Sequence, residues 1–330
     1  MLVLGLETSC DETAAAVVED GRTVYSSVVS SQVDLHARFG GVVPEVASRA
    51  HVDLITEVIA DALVEAGVEL EDLGVVAACH GPGLAGALLV GVSAAKAISL
   101  ATGLPYVGVN HLEAHLYAAW LEEPDLEPPL AVLLVSGGHT MVVVMEGHGR
   151  YRVVGETVDD AAGEAFDKVA RHLGLGYPGG PAIDALAVEG DAAAVQFPRA
   201  MRGEADFSFA GLKTAVVNHV RHHPDTPVAD VSASFQEAVV DQLVDKLVAA
   251  ADEAGARTLV IGGGVAANSR LRARVQEAAA ATGRRALLPP RALCTDNAAM
   301  IAAAAWWRFT AEGATSLGSG ADPNLRLPES

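Results

Sequence analysis

The sequence predicts an α/β fold made of two related lobes with a cleft between them. Two β-hairpins support this prediction: Leu2–Leu6 and Ala14–Val18 flank one polar turn, and Leu130–Val135 and Met141–Met145 flank another. Both turns are rich in small polar residues, whose backbone amides can cradle an anion. At 330 residues the chain is long enough for two lobes, each with its own core. The repeated hairpin therefore indicates an internal duplication.

Helices and further strands are expected between and after the hairpins. Ser48–Gly67 and Phe235–Ala254 have the periodicity of amphipathic helices. Val75–Cys79 and Thr258–Ile261 are apolar strands, and each leads into a glycine-rich turn that opens a helix. Such a turn can present backbone amides to a ligand, or it can serve only close packing. The tail from Ala314 is rich in Gly, Ser and Pro and is expected to be loosely held.

Composition and charge limit the possible partners. With 51% hydrophobic and 19% charged residues, the chain has an ordinary globular composition. It has no run of ~18 uninterrupted apolar residues and no basic leader with a cleavage site, so we expect a cytoplasmic protein with no membrane partner. Its net charge of −20 argues against broad electrostatic binding of nucleic acid. A nucleic-acid partner would need a local basic patch or another subunit.

The three cysteines, Cys10, Cys79 and Cys294, form no Cys-x-x-Cys pair. An odd number also argues against a disulfide framework. We expect reduced thiols, of which Cys10 and Cys294 lie in loops that could belong to a site.

His111 and His115 are the strongest chemical signal. They follow an apolar strand, Leu104–Val109, and begin a helix, so that their spacing of four residues puts both rings on one face. That spacing suits two nitrogen ligands of one metal ion; two buried, hydrogen-bonded histidines are the alternative. Glu113 lies roughly 200° round the helix from His111, so it points away from the histidine pair. It is therefore not at the position of the glutamate base in zinc peptidases, which directly follows the first histidine.

A third ligand can come from Asp296, which lies at a junction between a loop and a helix among small residues. By spacing alone, however, an N-cap is the commoner role for such an aspartate. Two histidines and one carboxylate would leave coordination positions open for a substrate carboxylate or carbonyl.

Residues of a nucleotide site are suggested more weakly. Gly262–Ser269 stands between a strand and a helix, and Asn268 could bind a ribose or base, although the spacing is not that of the dinucleotide fingerprint. Asp167 and Asp184 adjoin a helix or a glycine-rich turn. They could accept hydrogen bonds from ribose hydroxyls or could simply be solvated charges.

Taken together, these segments resemble the tRNA N6-adenosine threonylcarbamoyltransferase family, called TsaD in bacteria and formerly O-sialoglycoprotein endopeptidase. The matching segments run in order from Gly5 to Met300. They are GLETSCDETAAAVV, GGVVPEVASRAH, HGPGLAGALLVG, NHLEAHLYA, LLVSGGHT, DDAAGEAFDKVARHLGLGYPGGP, FSFAGLKTAV, GGGVAANSRLR and CTDNAAM.

The resemblance implies an actin/hexokinase-like (ASKHA) fold with two ribonuclease-H-like lobes. We expect an N-terminal lobe at 1–108, against which a C-terminal helix at about 296–325 packs back. The second lobe is expected at 109–295, with the metal and nucleotide site in the cleft.

The resemblance also implies a reaction. The threonylcarbamoyl group would pass from threonylcarbamoyl-AMP to N6 of adenosine 37 in tRNAs reading ANN codons, and AMP would leave. It implies one divalent ion per subunit, Fe²⁺ before Zn²⁺, and three protein partners: a paralogous dimerisation subunit (TsaB), a small ATPase (TsaE) and the synthase that makes the adenylate. The implied metal ligands are His111, His115 and Asp296, and the implied acidic residues at the reacting centre are Asp11 and Glu12. The implied adenylate contacts are Leu134, Val135, Ser136, Gly137, Gly138, Asp167, Gly180, Asp184 and Asn268.

Three other functions are considered. An actin-like ATPase or sugar kinase would have no use for the histidine pair. A metallopeptidase is disfavoured by the position of Glu113. A non-catalytic scaffold would not need His111, His115 and Asp296 together.

Overall fold

The computed structural model describes residues 1–328 and contains two compact units. Unit 1 comprises Met1–Leu126 together with Thr295–Pro328, and unit 2 comprises Glu127–Cys294. This division differs from the boundary expected after residue 108, because the helix His111–Glu122 packs against the C-terminal helix Ala298–Glu312 within unit 1. His111, His115 and Asp296 consequently belong to one unit.

Unit 1 is built on a five-stranded sheet in the order β3-β2-β1-β4-β5. Strands β1, β2 and β3 are antiparallel neighbours, whereas β4 pairs in parallel with β1 and β5. Its strands are β1 Leu2–Glu7, β2 Glu12–Glu19, β3 Thr23–Ser31, β4 Leu73–Gly81 and β5 Tyr106–Asn110. Its helices are α1 Val33–Ala37, α2 Pro44–Ala66, α3 Ala85–Thr102, α4 His111–Glu122 and, last in the chain, α11 Ala298–Glu312.

Unit 2 repeats this plan with the order β10-β9-β6-β7-β8. Here β6 takes the place of β1: it pairs antiparallel with β7 and parallel with β9. The predicted duplication of the hairpin is therefore confirmed. The strands are β6 Leu130–Val135, β7 Thr140–Gly147, β8 Arg150–Glu156, β9 Thr258–Gly262 and β10 Arg285–Leu287. The helices are α5 Ala162–Leu173, α6 Gly179–Ala187, α7 Ala210–His222, α8 Val228–Ala254, α9 Ser269–Ala281 and α10 Arg291–Cys294.

Each unit has its own apolar core. In unit 1 the central strands contribute Leu4, Leu6 and Val76, which are fully buried. In unit 2 the long helix α8 crosses the sheet and buries Phe235 and Leu243 among the residues of β6 and β7. Burying such side chains stabilises each unit by roughly 1.5–3 kcal/mol per large residue.

A close approach places α11 on β1. A Cβ atom added at Gly5 would lie 2.5 Å from the carbonyl oxygen of Ala298 and 2.7 Å from the amide nitrogen of Ala302. The alanines of α11 from Ala298 to Ala305 are buried. Because both surfaces lack large side chains, the helix backbone lies against the strand and brings the residues before α11 to the end of β1.

The tail beyond α11 corrects two expectations. The helix ends at Glu312 rather than near residue 325, since glycines and a proline follow. The tail is irregular but not loosely held, because its backbone is bonded to the strands of unit 1. The amide of Thr315 donates to Tyr106 O at 2.8 Å, that of Asp322 donates to His80 O at 2.7 Å, and Asn110 Nδ2 donates to Arg326 O at 2.8 Å.

One helix in the described chain, α3, is long and apolar enough to cross a membrane by length and composition alone. In this structure α3 packs against β4 and α2.

Candidate metal and nucleotide sites

The first two candidate ligands are set by the start of α4. Asn110 ends β5, and its side-chain oxygen accepts hydrogen bonds from the amides of Leu112 at 2.8 Å and Glu113 at 3.2 Å. This N-cap begins the helix at His111. The rings of His111 and His115 then lie on one face, with their centroids 4.8 Å apart and their planes almost perpendicular.

Asp296 reaches the same place from the other end of unit 1. The cap of α11 is Asn297, whose oxygen accepts from the amide of Met300 at 3.0 Å, so Asp296 does not have the capping role. Its Oδ1 lies 3.5 Å from Nε2 of His111 and 3.2 Å from Nε2 of His115. The three side chains form one candidate metal group.

The distances and the chemistry of this group fit a metal ion. A tetrahedral ion with nitrogen ligands at ~2.1 Å keeps its ligand atoms about 3.4 Å apart, which matches the observed separations. His115 is 4% exposed, yet neither of its ring nitrogens makes a hydrogen bond with any residue in 1–328. The 3.2 Å contact with Asp296 is short enough for a hydrogen bond but lacks its geometry. A buried ring without a hydrogen bond is costly unless something else binds it.

A second buried layer orients His111. Its Nδ1 lies 3.1 Å from Oε2 of Glu7 and 3.3 Å from Oγ of Ser9. The other oxygen of Glu7 accepts from the amide of Ser9 at 2.5 Å. Because the carboxylate can only accept, Nδ1 of His111 carries a proton, and Nε2 is the nitrogen left to bind a metal ion beside Asp296. Burial of His111 would by itself lower the pKa of the ring, but Asp296 and Glu7 raise it well above its ordinary value, so without a metal ion Nε2 is protonated as well.

Cys79 completes a second group with Glu7 and His111, all three of them buried. Burial, reinforced by the charge of Glu7, raises the pKa of the Cys79 thiol to about 12. At neutral pH this thiol is protonated, so the group serves as a hydrogen-bonded support for His111.

Glu113 points away from the histidine pair, as its helical position predicts. It is 2% exposed, and its carboxylate lies 3.1 Å from Nη1 of Arg308 on α11. Arg308 also pairs with Glu312 at 3.2 Å. Glu113 therefore joins α4 to α11 and is not placed to serve as a peptidase base.

Of the acidic pair, Asp11 lies in the turn between β1 and β2, and Glu12 is the first residue of β2. Burial, together with the charges of Asp296 and Asp11, raises the pKa of Glu12 to about 9, and its side chain is hydrogen-bonded to Asp11. The two carboxyls therefore titrate as a coupled pair. Burial and the same two aspartates also raise the pKa of Cys10, which stays a free thiol.

In unit 2 the candidate nucleotide loops follow neighbouring parallel strands. β6 pairs with β9, including Leu134 with Gly262, so the turn Ser136–Gly138 and the loop Gly263–Asn268 lie at the same sheet edge. Ligands of open α/β sheets bind at the carboxyl ends of such strands. Gly137 and Gly138 are exposed, and a Cβ added to either would meet no atom within 4 Å. Leu134 and Val135 are buried in β6 behind this turn.

The polar residues of this edge are held by hydrogen bonds within the unit. Asp167 Oδ1 accepts from the amide of Gly179 at 2.7 Å, and burial raises the pKa of this aspartate. Asp184 accepts from the amide and hydroxyl of Ser269 at 3.0 and 2.8 Å. Gly180 begins α6 beside Gly179 and is half-buried.

Asn268 caps α9 and is fixed on both sides. Its oxygen accepts from the amide of Leu271 at 2.9 Å, while its Nδ2 donates to Oε1 of Gln236 at 2.7 Å. The sequence did not single out Gln236 or Glu7, because each acts through a contact with a residue distant in the chain. One feature of the sequence could have indicated Gln236: the helical period of α8 places this polar residue on the buried face of the helix.

Comparison with known proteins identifies the family that shares this architecture. The model of a family described as tRNA N6-adenosine threonylcarbamoyltransferase matches residues 23–303. A protein of that description from Symbiobacterium thermophilum is 55% identical over 99% of this chain and 97% of its own. One from Caldicellulosiruptor saccharolyticus is 51% identical over 99% and 98%, and one from Geobacter sp. strain M21 is 56% identical over 92% and 90%.

Solved structures show the same fold at low sequence identity. HypF of T. kodakarensis matches with a TM-score of 0.65 and 15% identity, over 94% of this chain and 48% of that protein. Component A of the (R)-2-hydroxyglutaryl-CoA dehydratase of Acidaminococcus fermentans matches with a TM-score of 0.56 and 16% identity, over 94% and 99%. These likenesses, with the repeated five-stranded sheets, confirm the predicted ASKHA fold.

Proposed function

The chain belongs to the tRNA N6-adenosine threonylcarbamoyltransferase family, and from this premise we propose how its residues carry out the transfer. It is a transferase whose substrate is tRNA, and its family implies a metal ion. We propose threonylcarbamoyl-AMP as the donor and the adenosine at tRNA position 37, in tRNAs reading ANN codons, as the acceptor. In this reaction the bond from the carbamoyl carbon to N6 forms, the bond to the phosphate oxygen breaks, and AMP leaves.

The observation that supports this mechanism best is the convergence of His111, His115 and Asp296 within unit 1. We propose that they hold one divalent ion, Fe²⁺ before Zn²⁺, as the histidine nitrogens and single carboxylate suit either. When bound, such an ion supplies a Lewis acid for a carbonyl or carboxylate of the threonylcarbamoyl group. Glu7 keeps the lone pair of His111 Nε2 directed at this position.

The adenylate is proposed to bind in unit 2. The amides of Ser136–Gly138 offer hydrogen bonds to its phosphate, and the absence of side chains at Gly137 and Gly138 lets the backbone approach it. Asp167, Asp184 and Asn268, with Gly180 beside them, are proposed to contact the ribose and base. Leu134 and Val135 position this turn from the sheet.

Proton removal from N6 is assigned to the pair Asp11 and Glu12. An exocyclic amine is a weak nucleophile, so its proton must leave at or after the attack. The pKa of Glu12 is raised to about 9 by burial and by the charges of Asp296 and Asp11, so the base is assigned to the hydrogen-bonded pair and not to one of its members. The adenine must leave the stack of the anticodon loop, which costs less there than in a duplex.

The remaining partners are also proposals. We propose a cytoplasmic enzyme that works with a paralogous dimerisation subunit (TsaB), a small ATPase (TsaE) and the synthase that makes the adenylate. Because the chain has a net charge of −20, a partner that adds positive surface near the tRNA would raise its affinity for tRNA.

The experiment is transfer of radiolabelled threonylcarbamoyl from its adenylate to unmodified tRNA, with the partner subunits present. We expect incorporation by the wild type and its loss in His111→Ala/His115→Ala, together with loss of bound metal. His222→Ala, which removes an exposed histidine of unit 2, is the control and should retain both. No incorporation by the wild type would refute the proposed reaction.

A further inference from the structure

The turn after α1 carries an exposed aromatic ring with an arginine against it. Phe39 is 53% exposed, and no other phenylalanine in residues 1–328 is among the exposed large apolar side chains. The guanidinium carbon of Arg38 lies 5.0 Å from the centre of its ring. The surface here therefore presents an aromatic face and a guanidinium side by side.

Arg38 differs from the arginines that are held in ion pairs. Arg199 is paired with Asp241, Arg270 with Glu237, and Arg308 with Glu113. Arg38 is exposed and forms no ion pair with any carboxylate in the described part of the chain. Other exposed arginines, such as Arg221 and Arg257, also form no ion pair within residues 1–328, but Arg38 is the one beside the exposed phenylalanine. In a chain of net charge −20, such a cation is a contact point for a polyanion.

A buried network connects this turn to the loop that carries Asp11 and Glu12. Two successive carbonyls of that loop are held: Cys10 O by Nε2 of His51 at 3.0 Å, and Asp11 O by the amide of Gln32 at 2.9 Å. Gln32, His36 and His51 are all buried. All of these residues belong to unit 1.

The donors and acceptors of this network can be assigned from end to end. Because Cys10 O only accepts, Nε2 of His51 donates and its Nδ1 accepts, chiefly from Oγ1 of Thr13 at 2.7 Å and more weakly from Nε2 of Gln32 at 3.3 Å. The amide oxygen of Gln32 then accepts from Nε2 of His36 at 3.2 Å, and Nδ1 of His36 accepts from the amide of Val43 at 3.3 Å. In this arrangement each histidine donates from Nε2 and accepts at Nδ1, and burial lowers the pKa of His51.

The network therefore fixes both ends of the turn, His36 and Val43, relative to the loop of Asp11 and Glu12. The residues between these ends include Arg38 and Phe39 on the surface. The network thus holds Arg38 and Phe39 at a fixed position relative to Asp11 and Glu12, although no direct contact joins the two pairs.

We propose that Arg38 and Phe39 bind the anticodon loop, with an unpaired base beside the target adenosine stacked on Phe39 and a phosphate held by Arg38. This inference rests on the proposed function, which requires the target adenine to leave its stack near Asp11 and Glu12. Proteins that bind single-stranded RNA use aromatic faces for unstacked bases and arginine for the backbone. A stacking contact also needs no base-specific hydrogen bonds, so it tolerates different anticodon sequences.

The test uses an anticodon stem-loop RNA with 2-aminopurine next to the target adenosine, titrated with the full-length chain. Stacking on Phe39 should quench the fluorescence of the wild-type complex. Phe39→Leu keeps an apolar side chain but should abolish the quenching and raise Kd about ten-fold, the loss of roughly one stacked base, while Phe39→Trp should restore both. Arg38→Gln should weaken binding and reduce the slope of log Kd against log salt concentration by about one.

Arg49→Gln is the matched control, because Arg49 is an exposed arginine of α2 that is paired with Glu45 at 2.8 Å. It should leave quenching unchanged. Equal affinity and quenching in Phe39→Leu and the wild type, or no binding by the wild type, would overturn the proposal. It is likewise overturned if the variant binds RNA normally but no longer binds a partner subunit. Since the titration contains no adenylate, a failed transfer reaction combined with Phe39-dependent quenching would refute the transfer and leave this RNA contact standing.

Discussion

Glu7 and His111 form a hydrogen bond of 3.1 Å at the end of β1, between a carboxylate with no exposed surface and the Nδ1 of the imidazole. The bond decides which nitrogen of His111 carries the proton, and so it decides which nitrogen can bind a metal ion. Outer partners of this kind typically change metal affinity by about 10–100-fold when they are replaced.

Replacing Glu7 with Gln should lower metal affinity within that range of about 10–100-fold. The amide can present its N–H groups to Nδ1, which would then accept and leave the proton on Nε2. Affinity for Zn²⁺ and Co²⁺ can be measured by competition with a chromophoric chelator. Glu45→Gln, an exposed change on α2, should have no effect. Unchanged affinity in Glu7→Gln would show that the tautomer of His111 is set by other residues.

Breaking the pair of Glu113 and Arg308 should destabilise unit 1. The Glu113 side chain is 3% exposed, so Arg308→Met would leave a buried carboxylate without its cation. We expect a loss of about 3 kcal/mol in the free energy of unfolding, measured with urea, because an uncompensated buried charge is costly. The double variant Glu113→Gln/Arg308→Met should recover part of this loss. If the single and double variants are equally stable, the pair is not a buried ion pair in solution.

The stability of unit 1 should fall in mild acid partly because of His80. Burial, with the charge of Arg308, lowers the pKa of His80 from 6.5 to about 4. Between these values the unfolded chain binds a proton that the folded chain does not, so stability is lost as the pH falls from 6.5 towards 4. The loss stays below about 1.4 kcal/mol per pKa unit because His80 is only partly buried. Urea unfolding of His80→Gln should show a weaker acid dependence than that of His222→Gln.

Asn268 should have separable roles in stability and donor binding. Asn268→Ala removes the cap of α9 and should cost about 1 kcal/mol of stability. Asn268→Ser can keep the cap but loses the bond to Gln236, so it should be destabilised less than Asn268→Ala. If Asn268 contacts the adenylate, both variants should raise KM for the donor. A KM unchanged in Asn268→Ser would remove Asn268 from the donor site.

Features carried by local periodicity were predictable from the sequence. The repeated hairpin, α2, α8 and the face shared by His111 and His115 all follow from spacing within a few residues. β3 and β10 were not foreseen, because β3 is a half-exposed edge strand and β10 has only three residues. Edge strands lack the apolar pattern that marks central ones.

Contacts between distant residues were much harder to predict. Nothing local distinguishes Asp296 from Asn297 as the cap of α11, and the structure gives that role to Asn297. Glu7 ends a strand, and its partner depends on how β1, β4 and β5 align, which places His111 beside it. The tail after Glu312 has a composition typical of loose segments, yet its backbone finds partners in β5 and at the end of β4.

The order of the ligands along the chain has a consequence for biosynthesis. His111 and His115 precede the whole of unit 2, whereas Asp296 follows it. A nascent chain that has emerged only to Leu126 contains both histidines and Glu7 but lacks the carboxylate and the helix α11 that presents it. Complete coordination therefore waits until unit 2 has been synthesised and residues 295–312 have left the ribosome. For the proposed ligand set, binding of the metal ion by all three side chains is therefore a late event in synthesis of the chain.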